Sequence, residues 1–196
     1  MIKKAFILNY NCGNIKSVLK ALQHCDYQVS VGLDEKPSKD SLLVIPGVGH
    51  FGSAMSIISN SKAETNIKNH FENNGKILGI CLGMQLLFGS SEEAPNVKGL
   101  GLIKGKVKKL RNVIDDYQHS FHLGWSITSN LKNKEKHDMY YVHQYFCEPE
   151  CEDYISETFK WKNKKLCAGI RANNLRGLQF HPEKSSSSGL KLLMNL

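Results

Sequence analysis

No apolar run in this chain approaches the roughly 20 residues that a helix needs to cross a bilayer, which excludes a membrane-spanning helix. The N-terminus offers two lysines and a short apolar run that stops at Asn9. That run is too short for a secretory h-region and no small-residue cleavage site follows, so it reads as the first strand of a cytoplasmic protein. Cysteines stand at 12, 25, 81, 147, 151 and 167, yet no C-x-x-C pair exists. Cys147 and Cys151 have no comparable second pair to complete a zinc site, and the chain is too large for a secreted disulfide scaffold. Ordinary thiols in a reducing compartment account for all of them but Cys81. Neither G-x-G-x-x-G nor G-x-x-x-x-G-K-[ST] occurs, so nucleotide binding has little to rest on. The net charge is +8, but the lysines are scattered, with no interleaved aromatic platform and no nucleic-acid reader motif. A solvated lysine-rich surface explains them first, and a docking face for an acidic partner or a phosphorylated metabolite second. No linker and no internal repeat divides the 196 residues. A chain of that length buries a core as one domain, residues 1–196.

What is present alternates. Residues 2–9 are apolar enough for a buried strand. Asn14 offers an N-cap to a helix whose Ile15, Val18, Leu19 and Leu22 fall at i, i+3, i+4 and i+7. Gln28–Leu33 and Leu42–Ile45 read as strands, the latter ended by Pro46-Gly47. Helical patterns follow over 51–59 and 63–73, with Asn74-Gly75 as the stop signal. Ile77–Ile80 is a fourth strand, feeding a helix that begins near Leu82. This order predicts an α/β fold with a mostly parallel central sheet flanked by helices. The second half is different: Gly105–Leu110, Ser120–Ser129, Met139–Phe146, Tyr154–Lys160, Lys165–Ala172 and Gly177–Phe180 are short strand candidates. They are expected to extend the sheet with antiparallel strands before a last helix, Ser188–Asn195.

The chemistry concentrates at Gly79-Ile80-Cys81-Leu82-Gly83. Glycines flanking one nucleophile-capable residue at a strand-to-helix switch are the sequence form of a nucleophile elbow. Pro46-Gly47-Val48-Gly49 is a second glycine-bearing turn at a strand end, able to bring backbone N–H groups to a developing oxyanion; alternatively it is a plain or phosphate-binding loop. Near the C-terminus stands His181-Pro182-Glu183. A thiol needs a base, and an imidazole needs a carboxylate to orient it. In extended backbone His181 and Glu183 project the same way, so Cys81, His181 and Glu183 form a candidate catalytic triad. The histidines at 24, 50, 70, 119, 122, 137 and 143 lack such a companion pattern and read as surface or packing residues.

An oxyanion loop, a G-x-C-x-G elbow and a C-terminal H-P-E, in that order, resemble the class I, triad-type glutamine amidotransferase family. Longer stretches resemble one branch of it, the glutaminase subunits of imidazole glycerol phosphate synthases. These are Asn9–Val18, Pro46–Met55, Gly79–Leu87, Ser91-Glu92-Glu93, Gly99-Leu100-Gly101, His122–Trp125, Tyr141–Tyr145, Gly177–Ser185 and Gly189–Leu193, which together span essentially the whole chain.

The resemblance implies a glutaminase that hydrolyses L-glutamine to glutamate and ammonia. Cys81 would be the nucleophile, His181 the acid and base, and Glu183 its orienting partner. The oxyanion would be held by backbone N–H groups of Leu82 and of Val48 or Gly49. The substrate would lie near Gln85 and Glu93, with backbone contacts from Gln144 and Tyr145; Glu92 competes with Glu93 by one position. No cofactor and no metal is implied. The implied partner is a cyclase-type (β/α)8-barrel synthase subunit, in a heterodimer that receives the ammonia and forms imidazole glycerol phosphate in histidine biosynthesis. Asn9, Asn11-Cys12, Ser126 and Gln144 depart from the branch's usual Asp, Gly-Met, Asn and Ser. Relatives of the branch also feed ammonia to an amidotransferase that builds acetamidino sugars for surface polysaccharides, and the sequence leaves that alternative open. A stand-alone cysteine hydrolase is a further reading, disfavoured because Gln85 and H-P-E occur together.

Overall fold

The structure, a computed structural model, describes residues 2–114 and 120–196. In its first half each apolar run becomes a buried parallel strand. β1 (Lys3–Leu8) pairs with β2 (Tyr27–Gly32) and β3 (Leu42–Ile45), and β3 pairs with β4 (Ile77–Ile80), all in parallel. Side chains alternate across the sheet: Phe6 and Leu8 of β1 enter one core cluster, Ala5 and Ile7 the other. Strands buried on both faces need no polar alternation, which is why these runs are continuously apolar.

The helices cover both faces. α1 (Ile15–His24) buries Val18, Ala21 and Leu22, and Asn14 caps it by accepting the Ser17 N–H at 3.2 Å. α2 (Phe51–Ser59) and α3 (Ala63–Glu72) cover the opposite face. α4 (Leu82–Leu86) follows β4 directly.

The second half contributes β5 (Gly105–Lys109), α5 (Arg111–Ile114), β6 (His122–Asn130), β7 (Lys136–His143), β8 (Tyr145–Pro149), β9 (Ile155–Trp161), β10 (Lys164–Ala172), β11 (Leu175–Leu178) and α6 (Ser186–Met194). Among the described residues the main sheet runs β2-β1-β3-β4-β11-β10-β9-β6-β7. The expected antiparallel extension is there, built from β10, β9, β6 and β7.

The last strand departs from that expectation. β11 pairs in parallel with β4, in the register Leu178↔Ile80, and so belongs to the parallel half. The cause is the hairpin at Asn173-Asn174, which reverses β10 into β11. Asn173 takes a φ of 52°, and Asn174 bonds through its carbonyl to Ile77 N–H at 2.9 Å and through its side chain to Phe71 O at 3.1 Å. The hairpin is thereby fastened beside the start of β4.

The candidate strand Met139–Phe146 also splits. Gln144 separates β7, in the main sheet, from β8, which pairs with β5 in a separate two-stranded sheet. The carboxyl ends of β3, β4 and β11 then lie side by side, the place where open α/β sheets gather ligands.

Candidate active site

Cys81 sits where β4 turns into α4, with φ 52° and ψ −108°. For a residue with a Cβ such a conformation costs on the order of 1–3 kcal/mol. The surroundings enforce it: Cys81 N–H donates to Leu178 O at 2.7 Å and its carbonyl accepts Gln85 N–H at 3.1 Å. The flanking glycines are required by closeness. A Cβ on Gly79 would lie 2.7 Å from the Gly83 carbonyl oxygen, and one on Gly83 would overlap the carbonyl of Ile45.

The parallel pairing of β11 with β4 carries His181 to the same edge. His181 N–H donates to Tyr140 O at 2.9 Å, and its carbonyl accepts the Ser185 hydroxyl at 2.6 Å, so the segment is locked from two sides. Its Nδ1 lies 2.8 Å from Glu183 Oε1, with both side chains almost fully buried. Nδ1 therefore carries the proton of that bond, and Nε2 is left buried with no hydrogen-bond partner of ordinary geometry. Burial by itself pushes the imidazole down. The negative forms of Cys81 and Glu183 outweigh it and raise His181 to about 10. The balance favours the protonated ring.

Cys81 faces a cleft of about 220 Å³ lined also by Val48, Gly49, Leu82, Gln85, Glu93 and Gln144, with Phe121 and His143 at its sides. Of the two adjacent glutamates, Glu93 faces the cleft. Its Oε2 also accepts the Phe51 N–H at 2.7 Å, tying the start of α2 to the site. Glu92 turns away, accepting from Lys109 N–H at 2.8 Å and Asn112 Nδ2 at 2.9 Å.

Two residues of the expected site make other bonds here. Tyr145 is not among the residues that line the cleft. Its carbonyl accepts Gln85 Nε2 at 3.1 Å and pairs with His143 Nδ1 at 2.8 Å, so it positions residues that do. The Leu82 N–H, expected at an oxyanion, donates instead to Gly47 O at 3.3 Å. The loop, held from behind by the Tyr10 hydroxyl on Pro46 O, keeps a carbonyl where the oxyanion would go. A bond of that length is weak, and Gly49, at φ 125°, holds a backbone conformation that residues with side chains rarely adopt.

Sequence reasoning missed Gln179 and the role of two histidines. Gln179, fully buried, donates Nε2 to Cys81 Sγ at 3.7 Å and accepts from Gln85 Nε2 at 3.4 Å. Its position two residues before His181 was the available signal. His122 and His143 form a buried chain: His122 Nε2 to Ser126 Oγ at 2.8 Å, His122 Nδ1 to His143 Nε2 at 3.1 Å, and His143 Nδ1 to Tyr145 O. A carbonyl only accepts. Each neutral ring then has one assignable tautomer, and the donors run from Ser126 through His122 and His143 to Tyr145. Stacking on Tyr141 and Phe159, with centroids at 4.6 and 5.0 Å, fixes the His122 ring. His119 lies outside the described residues.

Burial lowers His122 to about 4, and burial together with the neighbouring His122 lowers His143 to about 3. Ring-proton NMR titration is expected to show both unprotonated at pH 5 and His181 still protonated at pH 8. A midpoint near 6.5 for any of them contradicts the arrangement. The linkage signs are opposite. The depressed pair makes the fold lose stability as pH falls from 6.5 toward 4, because the unfolded chain binds more protons. His181 contributes stability that is complete below 6.5 and lost as pH rises toward 10.

Among the described residues no three His, Cys, Asp or Glu side chains come together as a metal site, and no helix is long and apolar enough to cross a membrane. Comparison with known proteins gives the arrangement its family. Residues 7–195 match the profile of the class-I glutamine amidotransferases. The chain belongs to that family.

Three curated relatives of this amidotransferase carry the name imidazole glycerol phosphate synthase subunit HisH. The one from Pyrococcus furiosus is 40% identical, over 96% of this chain and 95% of its own. That from Thermotoga maritima is 38% identical, over 95% and 92%, and that from Chlorobium chlorochromatii 37%, over 97% of both. Among solved structures, PurLQS from Thermotoga maritima superposes with a TM-score of 0.76 at 20% identity, covering 100% of this chain and 98% of that one. At that identity the likeness is one of fold. In this amidotransferase, Cys81, Gln85, Glu93 and Gln144 line one cleft with the Val48-Gly49 turn, and the His181–Glu183 pair lies beside Cys81.

Proposed function

We propose that this chain is the glutaminase subunit of an imidazole glycerol phosphate synthase, supplying ammonia for histidine biosynthesis. The observation that carries the reading is the Cys81–His181–Glu183 constellation at the elbow, opening on a cleft that also presents Gln85 and Glu93. The names borne by full-length relatives favour this acceptor over the acetamidino-sugar alternative. Residues 1–196 act as one amidotransferase domain, in the cytoplasm, with no cofactor.

In the reaction the Cys81 thiolate attacks the side-chain amide carbon of L-glutamine. The His181 imidazolium passes its Nε2 proton to the departing nitrogen, the C–N bond breaks, and ammonia leaves a γ-glutamyl thioester. Water then adds as His181 takes its proton, and glutamate departs. Glu183 holds Nδ1 throughout. The oxyanion of each tetrahedral intermediate needs the Leu82 N–H, which requires the loop carbonyl of Gly47 to withdraw first.

Ammonia released to water is protonated and lost, so the site calls for a docked acceptor. The partner is a cyclase-type (β/α)8-barrel subunit, forming a heterodimer. Its seat is the outward face of β6, where Leu123, Trp125 and Ile127 are 62%, 53% and 59% exposed. Phe121 continues this stripe to the mouth of the cleft. A contiguous apolar patch of that kind marks an interaction surface.

Glutamine hydrolysis measured with and without a cyclase subunit is expected to rise on its addition. Trp125→Ala should weaken the complex by about 2 kcal/mol, roughly 30-fold in Kd, if Trp125 is a hot spot. Calorimetric titration of the two subunits checks it. Unchanged affinity moves the interface elsewhere, and hydrolysis of peptides but not glutamine overturns the reading.

A further inference from the structure

A second cavity of about 220 Å³ lies away from the catalytic cleft, between α6 and the antiparallel part of the sheet, and shares no lining residue with it. Pockets for drug-sized ligands run roughly 300–1,000 Å³, so this one suits a small ion or metabolite. Its charged lining is cationic in balance. Arg171, Arg176 and Lys191 face Glu135 and Glu157, with His137 beside them.

The groups are unequally satisfied. Arg176 Nη2 bonds Glu157 Oε1 at 3.0 Å, with Glu157 buried and Arg176 partly so, and His137 Nε2 lies 3.3 Å from Glu135 Oε2. The Arg176 Nε–H is buried with no partner. Burial lowers the Arg176 guanidinium from its ordinary value, Glu157 opposes this, and Arg171 adds like-charge repulsion. Arg171 and Lys191 reach the cavity from exposed positions. A buried guanidinium N–H without an acceptor, beside a second guanidinium that repels it, is an arrangement that an anion would relieve. It would accept from Arg176 Nε and lie between charges that otherwise repel.

We propose that this cavity binds a small oxyanion, a phosphate or a carboxylate, held by Arg176 Nε–H, Arg171 and Lys191. Glu135 and Glu157 limit the net positive charge, so the occupant is a small ion of low charge, not a polyanion. Phe180, which lines the cavity, immediately precedes His181. The bound ion therefore packs against the segment that carries the catalytic base. The site stands on charge and cavity alone and does not depend on the glutaminase reading.

Inorganic phosphate, titrated into the full chain at ionic strength held constant with chloride, should raise Tm saturably, following the binding linkage. Succinate in parallel distinguishes carboxylate from phosphate, and saturation by either supports the site. R171Q/K191Q changes two exposed side chains and should fold. It is expected to weaken the apparent affinity by about tenfold or more, as loss of charge-assisted hydrogen bonds implies. R176K keeps a charge beside Glu157 while removing the Nε–H, and should weaken binding as well. If neither anion shifts Tm beyond chloride, or if R171Q/K191Q binds as the parent does, the proposal is wrong.

Discussion

Replacing Cys81 by alanine should abolish glutamine-dependent synthesis by the complex while synthesis from added ammonia continues at the parental rate. Loss of the attacking atom removes the covalent route entirely. In triads that act as a unit, loss of the nucleophile costs on the order of 10⁴-fold or more. The ammonia-dependent reaction belongs to the partner and senses only whether the subunit still docks. Alanine leaves the bonds of Cys81 N–H to Leu178 O and of its carbonyl to Gln85 N–H in place, so the elbow and the docking face are preserved. Assays with glutamine and with ammonium salt on the same preparation separate the two. If the variant still hydrolyses glutamine, another residue is the nucleophile.

Glu183→Gln is expected to have the next largest effect. Glu183 is the acceptor that fixes the proton on His181 Nδ1, at 2.8 Å. An amide there can turn its NH2 toward Nδ1 and favour the tautomer protonated on Nε2, which can no longer take the proton of the thiol or of the attacking water. A loss of about 10²–10⁴-fold in kcat follows from that role. The pH profile supplies a readout that simple misfolding would not. The Cys81 and Glu183 charges together raise His181 to about 10, so removing one lowers the pH at which the imidazolium is lost. The basic limb of kcat against pH should move toward neutrality. An unmoved basic limb with near-parental kcat would assign Glu183 a purely structural place.

The parts of this fold that were legible in the sequence rest on local rules. Buried strands β1, β3 and β4 announce themselves as apolar runs, and α1 as an apolar stripe behind an Asn cap. The elbow is legible because only glycine at 79 and 83 allows the chain to close on itself there. H-P-E is legible because two residues of extended backbone put an imidazole and a carboxylate on one side. Gln179 and the His122–His143 chain were not legible, because their partners are contributed by other strands and by Tyr145. The same holds for the choice between Glu92 and Glu93. Adjacent residues point to opposite sides, and only the packing of β5 and α2 shows which side is the cleft.

By itself, then, the sequence determined what chemistry the protein could carry: a thiol on an elbow, a base with its carboxylate, and an α/β framework with its strands in order. Tertiary structure decided that these parts meet. Gln179 bonds Cys81 across 98 residues of chain, and His181 arrives with it because β11 pairs in parallel with β4 in the register Leu178↔Ile80. No local propensity sets that register. It is selected by the Asn173-Asn174 reversal and by burial of β11 on both faces of the sheet, where a slip of one residue would turn each side chain to the wrong core. Whether the oxyanion site is assembled is likewise a tertiary matter, decided by which carbonyl of the Pro46–Gly49 loop the Leu82 N–H meets.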